Sequence, residues 1–279
     1  MDVSKHPNYL LAYDADEVQR LQLQHDVIIR AFDGRLIVPS MKVSPGMKAL
    51  DSACGTGIWT VQAAAQHPDI EFTGVDIEAR NFPISHPPNA QFFVESITHL
   101  PEKWSSVFDL VHQRLLIAAL RAQEWSQAIA EAYRVLRPGG WAQFVECSTL
   151  WLRGPVAMRF LKIYRALYNS RNMLLKCAER IPQMLEDAGF HNVRSERVYI
   201  EMAGTTLEAT AARTTVLGVY RQFKGAIVRA GGLGLVQSGE EYDALMDELQ
   251  EEIMTAVDGT YPLEYVAIVA QKPQERCWM

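Results

Sequence analysis

Two aspartates and two glycines stand at spacings that suit a ligand. Asp51 closes the short run Lys48-Ala49-Leu50-Asp51, and Ser52-Ala53-Cys54-Gly55-Thr56-Gly57 follows before a helical pattern opens at Ile58. A strand that delivers a glycine loop into a helix N-terminus offers free N–H groups and the positive end of the helix dipole to an anionic group. The glycines let that group approach the backbone without hindrance from Cβ atoms. Further on, Asp76 ends the run Phe72-Thr73-Gly74-Val75-Asp76, where a carboxylate is placed to accept two ribose hydroxyls. The G-x-G-x-x-G pattern of dinucleotide sites would need glycine where Thr60 stands. Asp51 would repel a pyrophosphate and suits an ammonium.

One ligand carries an ammonium, a carboxylate, a ribose and an adenine together: S-adenosyl-L-methionine. In its D-x-x-x-G-x-G at Asp51 to Gly57 the sequence resembles the class I S-adenosyl-L-methionine-dependent methyltransferases. The resemblance continues through Asp76, Phe108-Asp109-Leu110-Val111 and the turn Arg134-Val135-Leu136-Arg137-Pro138-Gly139-Gly140-Trp141, covering roughly residues 46 to 147. It implies that Asp51, Ser52, Cys54, Gly55 and Gly57 surround the methionine end of the cofactor. It also implies that Asp76 binds the ribose, Ile77 packs on the adenine and Gln113 offers a carbonyl to the ammonium. Many relatives have an acidic pair after the third strand where this chain has Glu95-Ser96, so Ser96 or the backbone at Ile97 is expected at the adenine. A narrower likeness, to the fungal LaeA-like methyltransferases of secondary metabolism, lies in Tyr13-Asp14-Ala15-Asp16-Glu17, Arg20-Leu21, Gln24-His25, His112-Gln113-Arg114 and Gly140-Trp141 through Glu146. Pro262-Leu263-Glu264 is similar to small-molecule methyltransferases as well.

Methyl transfer needs nucleophile, methyl and sulfur in line, and a general base only where the acceptor has a proton to lose. His25 titrates near neutrality and Glu146 ends a strand at the ligand edge, so these two are the candidate bases. The alternatives are a surface or capping histidine and a partner for Arg114 or the N-terminal arm. Tyr9 and Tyr13 are placed to face the sulfonium by cation–π attraction, or simply to pack the arm. Cys54 is read as a small side chain filling a crowded turn. His112 and Arg114 are expected to orient the arm, through Asp14 or Glu17, or to meet an acidic substrate group. No His, Asp or Glu set has metal-ligand spacing.

Strand-like runs at Lys48–Asp51, Phe72–Asp76, Gln91–Val94, Phe108–Val111 and Trp141–Glu146 alternate with helical patterns at Ile58–His67 and Glu124–Leu136, which predicts βαβ units. Further strands are expected at Val193–Ile200 and Tyr265–Ala270. The fold class is therefore α/β: a Rossmann-like class I methyltransferase sheet of seven mostly parallel strands, in a single domain over 1–279. A helical arm (1–40), with its helix over Asp16–Ala31, precedes the cofactor-binding core (46–150). A helical cap (151–180 and 204–260) is expected to wall the acceptor pocket with Met158, Phe160, Tyr164, Tyr168, Met173, Tyr220 and Phe223.

With 27 basic against 33 acidic residues the net charge is −6, which disfavours a protein that holds nucleic acid by neutralising phosphates. No apolar run approaches the roughly 20 residues of a membrane span, and the four cysteines form no C-x-x-C pair. The expectation is a cytoplasmic enzyme, with nuclear access open, methylating a small apolar or aromatic acceptor, a fungal natural product, at O, N, S or C. The alternatives are a LaeA-like regulator acting through protein contacts and a cofactor-binding enzyme that catalyses a non-methylating rearrangement.

Overall fold

Leu50, Val75, Val111, Ala142 and Phe144 are fully buried, as strands covered by helices on both faces require. The computed structural model describes residues 15–37, 43–148, 153–257 and 259–274. In chain order the elements are α1 (Ala15–Ala31), β1 (Lys48–Ser52), α2 (Ile58–Gln66), β2 (Glu71–Asp76), β3 (Ala90–Val94), β4 (Phe108–Arg114), α3 (Ala122–Val135) and β5 (Leu136–Cys147). There follow α4 (Pro155–Ser170), α5 (Cys177–Asp187), β6 (His191–Glu201), α6 (Leu207–Gln222), α7 (Lys224–Arg229), α8 (Gly239–Met254) and β7 (Pro262–Gln271).

The seven strands form one sheet in the order β3-β2-β1-β4-β5-β7-β6. β1 to β5 run parallel, and β7 lies antiparallel between β5 and β6. The chain moves outward from β1 to β3 and then crosses back to β4. Ligands of open α/β sheets lie beyond the strand C-termini at such a reversal, here between β1 and β4. The register sets Asp51 opposite His112 and Ser52 opposite Gln113. All seven expected strands are present.

Several boundaries differ from the sequence expectation, β5 for one beginning at Leu136 rather than Trp141, and two of the differences bear on the site. β4 runs on to Arg114, because the polar run His112-Gln113-Arg114 is paired between β1 and β5 despite its polarity. The first cap segment, expected over 151–180, holds one whole helix and the start of a second, so that residue 180 falls inside α5. Pro182 stands within α5; an interior proline removes one hydrogen bond and erases the usual helix signal. The helix persists because Cys177, Ala178, Ile181 and Leu185 are buried, and it packs on β6, β5 and β7.

α1 packs across α6. Between α4, α6 and α7 sits a ring cluster of Phe160, Tyr164, Tyr220 and Phe223, with neighbouring centroids 4.5–5.9 Å apart. One apolar core runs without a break from these rings to the sheet.

Candidate active site

The loop after β1 is built from left-handed residues: φ is 62° at Ala53, 56° at Gly55 and 70° at Gly57. Two backbone hydrogen bonds hold it, Cys54 N–H to Val75 C=O at 2.8 Å and Gly57 N–H to Cys54 C=O at 2.9 Å. Gly57 is needed twice over, since a Cβ there would also lie 2.5 Å from the Phe92 ring. At Gly55 a Cβ would meet only Leu21 Cδ1, at 4.0 Å, so this backbone faces open space. Asp76, at the end of β2, accepts the Gly55 N–H at 2.9 Å and the Glu78 N–H at 3.2 Å. The carboxylate is thus oriented by the loop itself, while burial raises its pKa.

Asp51 is 3% exposed and accepts the Thr60 hydroxyl at 2.6 Å. Burial pushes its pKa up to about 6, opposed by that hydrogen bond. Thr60, the residue that breaks the dinucleotide pattern, is therefore the partner of the acid that precedes the loop.

Over the strand ends lies a cavity of about 520 Å³. Ala53, Cys54, Gly55, Asp76, Ile77, Ser96 and Ile97 line one part of it. Cys54 is half-buried, and desolvation of its thiol pushes the pKa up. Ile77 is 40% exposed, an apolar side chain open to the cavity. The Ser96 and Thr98 hydroxyls are 2.9 Å apart. The other part is walled by Tyr164 and Tyr168 of α4, Val216 and Tyr220 of α6, and Leu263 and Tyr265 of β7. Of the seven side chains expected to wall the acceptor pocket, Tyr164, Tyr168 and Tyr220 reach it. Phe160 and Phe223 pack behind them, Met173 is buried in the core, and Met158 is 41% exposed.

Asp51, Ser52, Gly57, Gln113 and Glu146 do not line the cavity. They stand one layer behind it. The two residues expected as bases are both engaged as supports. Glu146 is fully buried; its carboxylate accepts the backbone N–H groups of Leu116 at 2.7 Å and Ile117 at 3.3 Å. Burial raises its pKa to about 8. It does not pair with Arg114. His25 does line the cavity, but both ring nitrogens are used. Nε2 lies 2.5 Å from Gln62 Oε1, and Nδ1 lies 3.0 Å from Arg114 Nη2. Burial and then the Arg114 charge lower the His25 pKa to about 4. His112 stacks on Trp59 with centroids 3.9 Å apart, and its Nδ1 is 3.1 Å from the Gln143 amide. Glu17 pairs with Arg20 at 2.7 Å and not with Arg114. Tyr9, Tyr13 and Asp14 lie outside the described residues.

Sequence reasoning missed the turn after β4, where Leu115 adopts φ 56° and residues 115 to 118 line the cavity. A non-glycine residue in this region is strained, and no residue type there announces it. Arg20, Gln24 and Tyr265 were also missed as lining groups, because each reaches the cavity only through packing of α1 or β7. Among the described residues no cluster of His, Cys, Asp and Glu could hold a metal ion. No helix among them is long and apolar enough to cross a membrane.

A methyltransferase-domain family matches residues 49–140. N-methyltransferase sirN of Leptosphaeria maculans is 33% identical over 227 residues, which span 77% of this chain and 80% of that protein. The chain belongs to the S-adenosyl-L-methionine-dependent methyltransferases. N-methyltransferase gliN of Aspergillus fumigatus is 29% identical across 88% of the methyltransferase and 91% of its own length. The secondary metabolism regulator LAE1 of Gibberella fujikuroi is 27% identical over 69% of the methyltransferase and 64% of its own length, which agrees with the expected LaeA likeness. Among solved structures, mycolic acid cyclopropane synthase CmaA1, complexed with SAH and CTAB, superposes with a TM-score of 0.56 at 14% identity, covering 94% of this chain and 88% of that one; this likeness concerns the fold alone. The cofactor is S-adenosyl-L-methionine, and the site suits it. Gly55 leaves open space where the cofactor's chain would cross. Asp76 is fixed at the strand end by the Gly55 and Glu78 N–H groups, and Ile77 stands exposed beside it.

Proposed function

We propose that this methyltransferase methylates a nitrogen of a small, largely apolar or aromatic natural product. The observation that carries this reading is the continuity of one cavity, with the glycine loop and Asp76 on one side and tyrosines on the other. Support for nitrogen as the acceptor atom comes from the two relatives named as N-methyltransferases.

In this reading Asp76 accepts the ribose hydroxyls, Ile77 covers one face of the adenine, and Ser96 or the Ile97 backbone meets its edge. Gly55 and Cys54 line the methionine chain, with Asp51 and Gln113 acting from behind them. The cofactor, when bound, supplies an electrophilic methyl on a positively charged sulfur. Tyr164, Tyr168 and Tyr220 present aromatic faces to the acceptor, and the Tyr164 hydroxyl donates to that of Tyr168 at 3.1 Å. Burial pushes all three phenol pKa values up, so they stay neutral hydrogen-bonding groups. Catalysis then comes from alignment in a site shielded from water, which can supply several kcal/mol of the barrier. The helices α4 and α6 act as the cap over the acceptor, and the free cysteines Cys54, Cys147 and Cys177 suit the cytosol.

The test is incubation with labelled S-adenosyl-L-methionine and fractionated fungal metabolites. The expected product is a small molecule heavier by one CH₂, labelled on nitrogen. Label found only in protein would favour a regulatory methyltransferase. A product of unchanged mass would indicate rearrangement.

A further inference from the structure

Arg114 is the last residue of β4, one step beyond the Ser52–Gln113 pair and level with the start of the glycine loop. Its side chain lines the cavity. Nη2 lies against His25 Nδ1 at 3.0 Å, while Nη1 is buried and has no hydrogen-bond partner. A guanidinium cannot shed its proton and offers five donors, and a buried cation without an anion is strongly disfavoured. Asp51 is the acid whose charge acts on it, but Asp51 spends an oxygen on Thr60 and forms no ion pair among the described residues.

The support behind Arg114 is specific. Gln62 Oε1 can only accept, so His25 carries its proton on Nε2 and turns the Nδ1 lone pair to the guanidinium. A neutral imidazole orients the cation without satisfying its charge. The missing counter-charge belongs to something that enters the cavity. Beside the glycine loop, with the field of Asp51 adjacent, a carboxylate and an ammonium on one carbon match the two protein charges of opposite sign. The tyrosine wall offers no such pair.

We propose that Arg114 binds the carboxylate of the cofactor's methionine moiety, and that His25, held by Gln62, positions its guanidinium. The proposal rests on the cofactor assignment made above and gives His25 a positioning part in place of a proton-transfer one.

Calorimetry with S-adenosyl-L-methionine and with its decarboxylated analogue tests this. The wild-type protein is expected to prefer the carboxylated form by on the order of 30-fold, the value of a charge-assisted hydrogen bond. Arg114→Met should bind both forms with similar affinity, and Arg114→Lys, which keeps the charge, should retain part of the preference. Circular dichroism confirms that each variant is folded, and the lysine variant carries the test if the methionine one is not. An undiminished preference in both variants overturns the inference and leaves the cofactor assignment standing. Variants that lose turnover but keep that preference overturn it too, and move the anion to the acceptor. Absence of any binding to the wild-type protein overturns the cofactor assignment itself, and this inference with it.

Discussion

Gly55 and Gly57 share a left-handed backbone and differ in what surrounds them. Alanine at either position costs on the order of 1 kcal/mol for the backbone alone. At Gly57 the added methyl also strikes Phe92, so Gly57→Ala should lose about 2–4 kcal/mol of stability. At Gly55 the space is open, and Gly55→Ala should fold almost normally while weakening cofactor binding at least tenfold. Urea melts and calorimetry on the same two variants would separate these outcomes; equal losses of stability would contradict the assignment. Such a distinction was not readable from the pattern Gly55-Thr56-Gly57, which marks both positions alike. Local spacing did locate the loop and Asp76, whereas Ser96 and Ile97 were expected only from the family resemblance; Asp76, Ser96 and Ile97 all line the cavity. The bond between His25 and Arg114 spans 89 positions, and only the folded chain displays it. His25 has a further consequence. Its pKa is about 4 in the fold against about 6.5 for a free imidazole, so the unfolded chain binds more protons between those values. Stability gained from this residue therefore rises with pH through that window and is complete above it. Above about pH 6.5 it does not titrate, and a pH–rate profile near neutrality should show no limb that His25→Gln removes.

The turn leaving β4 is held from the end of β5. Glu146 receives the Leu116 and Ile117 N–H groups, which positions the cavity residues of that turn behind Arg114. In the notation of Gly140-Trp141 through Glu146 the sequence marked this acid as important and left its work open between base and partner. Its burial, which decides the matter, depends on α5 passing over β5, and Pro182 conceals α5 in the sequence. The strands were legible because each is a compact apolar run between breakers. β4 was read short because its polar end is covered by tertiary packing rather than by composition. The raised pKa of Glu146, about 8, gives a sign opposite to that of His25. Between about 4.3 for the free acid and 8 the folded state binds the extra proton, so stability is fullest below that range and falls as pH rises through it. Asp51 titrates within the lower part of the window. Between pH 6.5 and 8 the wild-type protein should therefore lose about 1–2 kcal/mol, and Glu146→Gln, which mimics the neutral acid, should remove most of that slope. Parallel slopes for the two proteins in denaturant titrations would show that Glu146 is ionised throughout.

The apolar core continues from the sheet through α3, α4 and α5 to α6 and α8, so the helices over the acceptor side and the strands that carry the cofactor loop share one interior. A smaller cluster, around Trp59, Ala63 and Phe72, fills the space between α2 and the first strands. Packing of this kind couples the two sides of the cavity, since the rings between α4, α6 and α7, Phe160 and Phe223 among them, belong to the same buried cluster as the sheet residues Leu50, Val111 and Phe144. Thermal unfolding should then be a single transition, with equal calorimetric and van't Hoff enthalpies. Cofactor at a hundred times its dissociation constant should stabilise the entire molecule by about 2.7 kcal/mol, raising the one midpoint by roughly 5–10 °C at 2–4 °C per kcal/mol. Scanning calorimetry with and without S-adenosylhomocysteine measures both. Two separated transitions, of which only the first moves with ligand, would mean that the cofactor loop and the tyrosine wall unfold independently, and that the cavity joining them is not held by a common core.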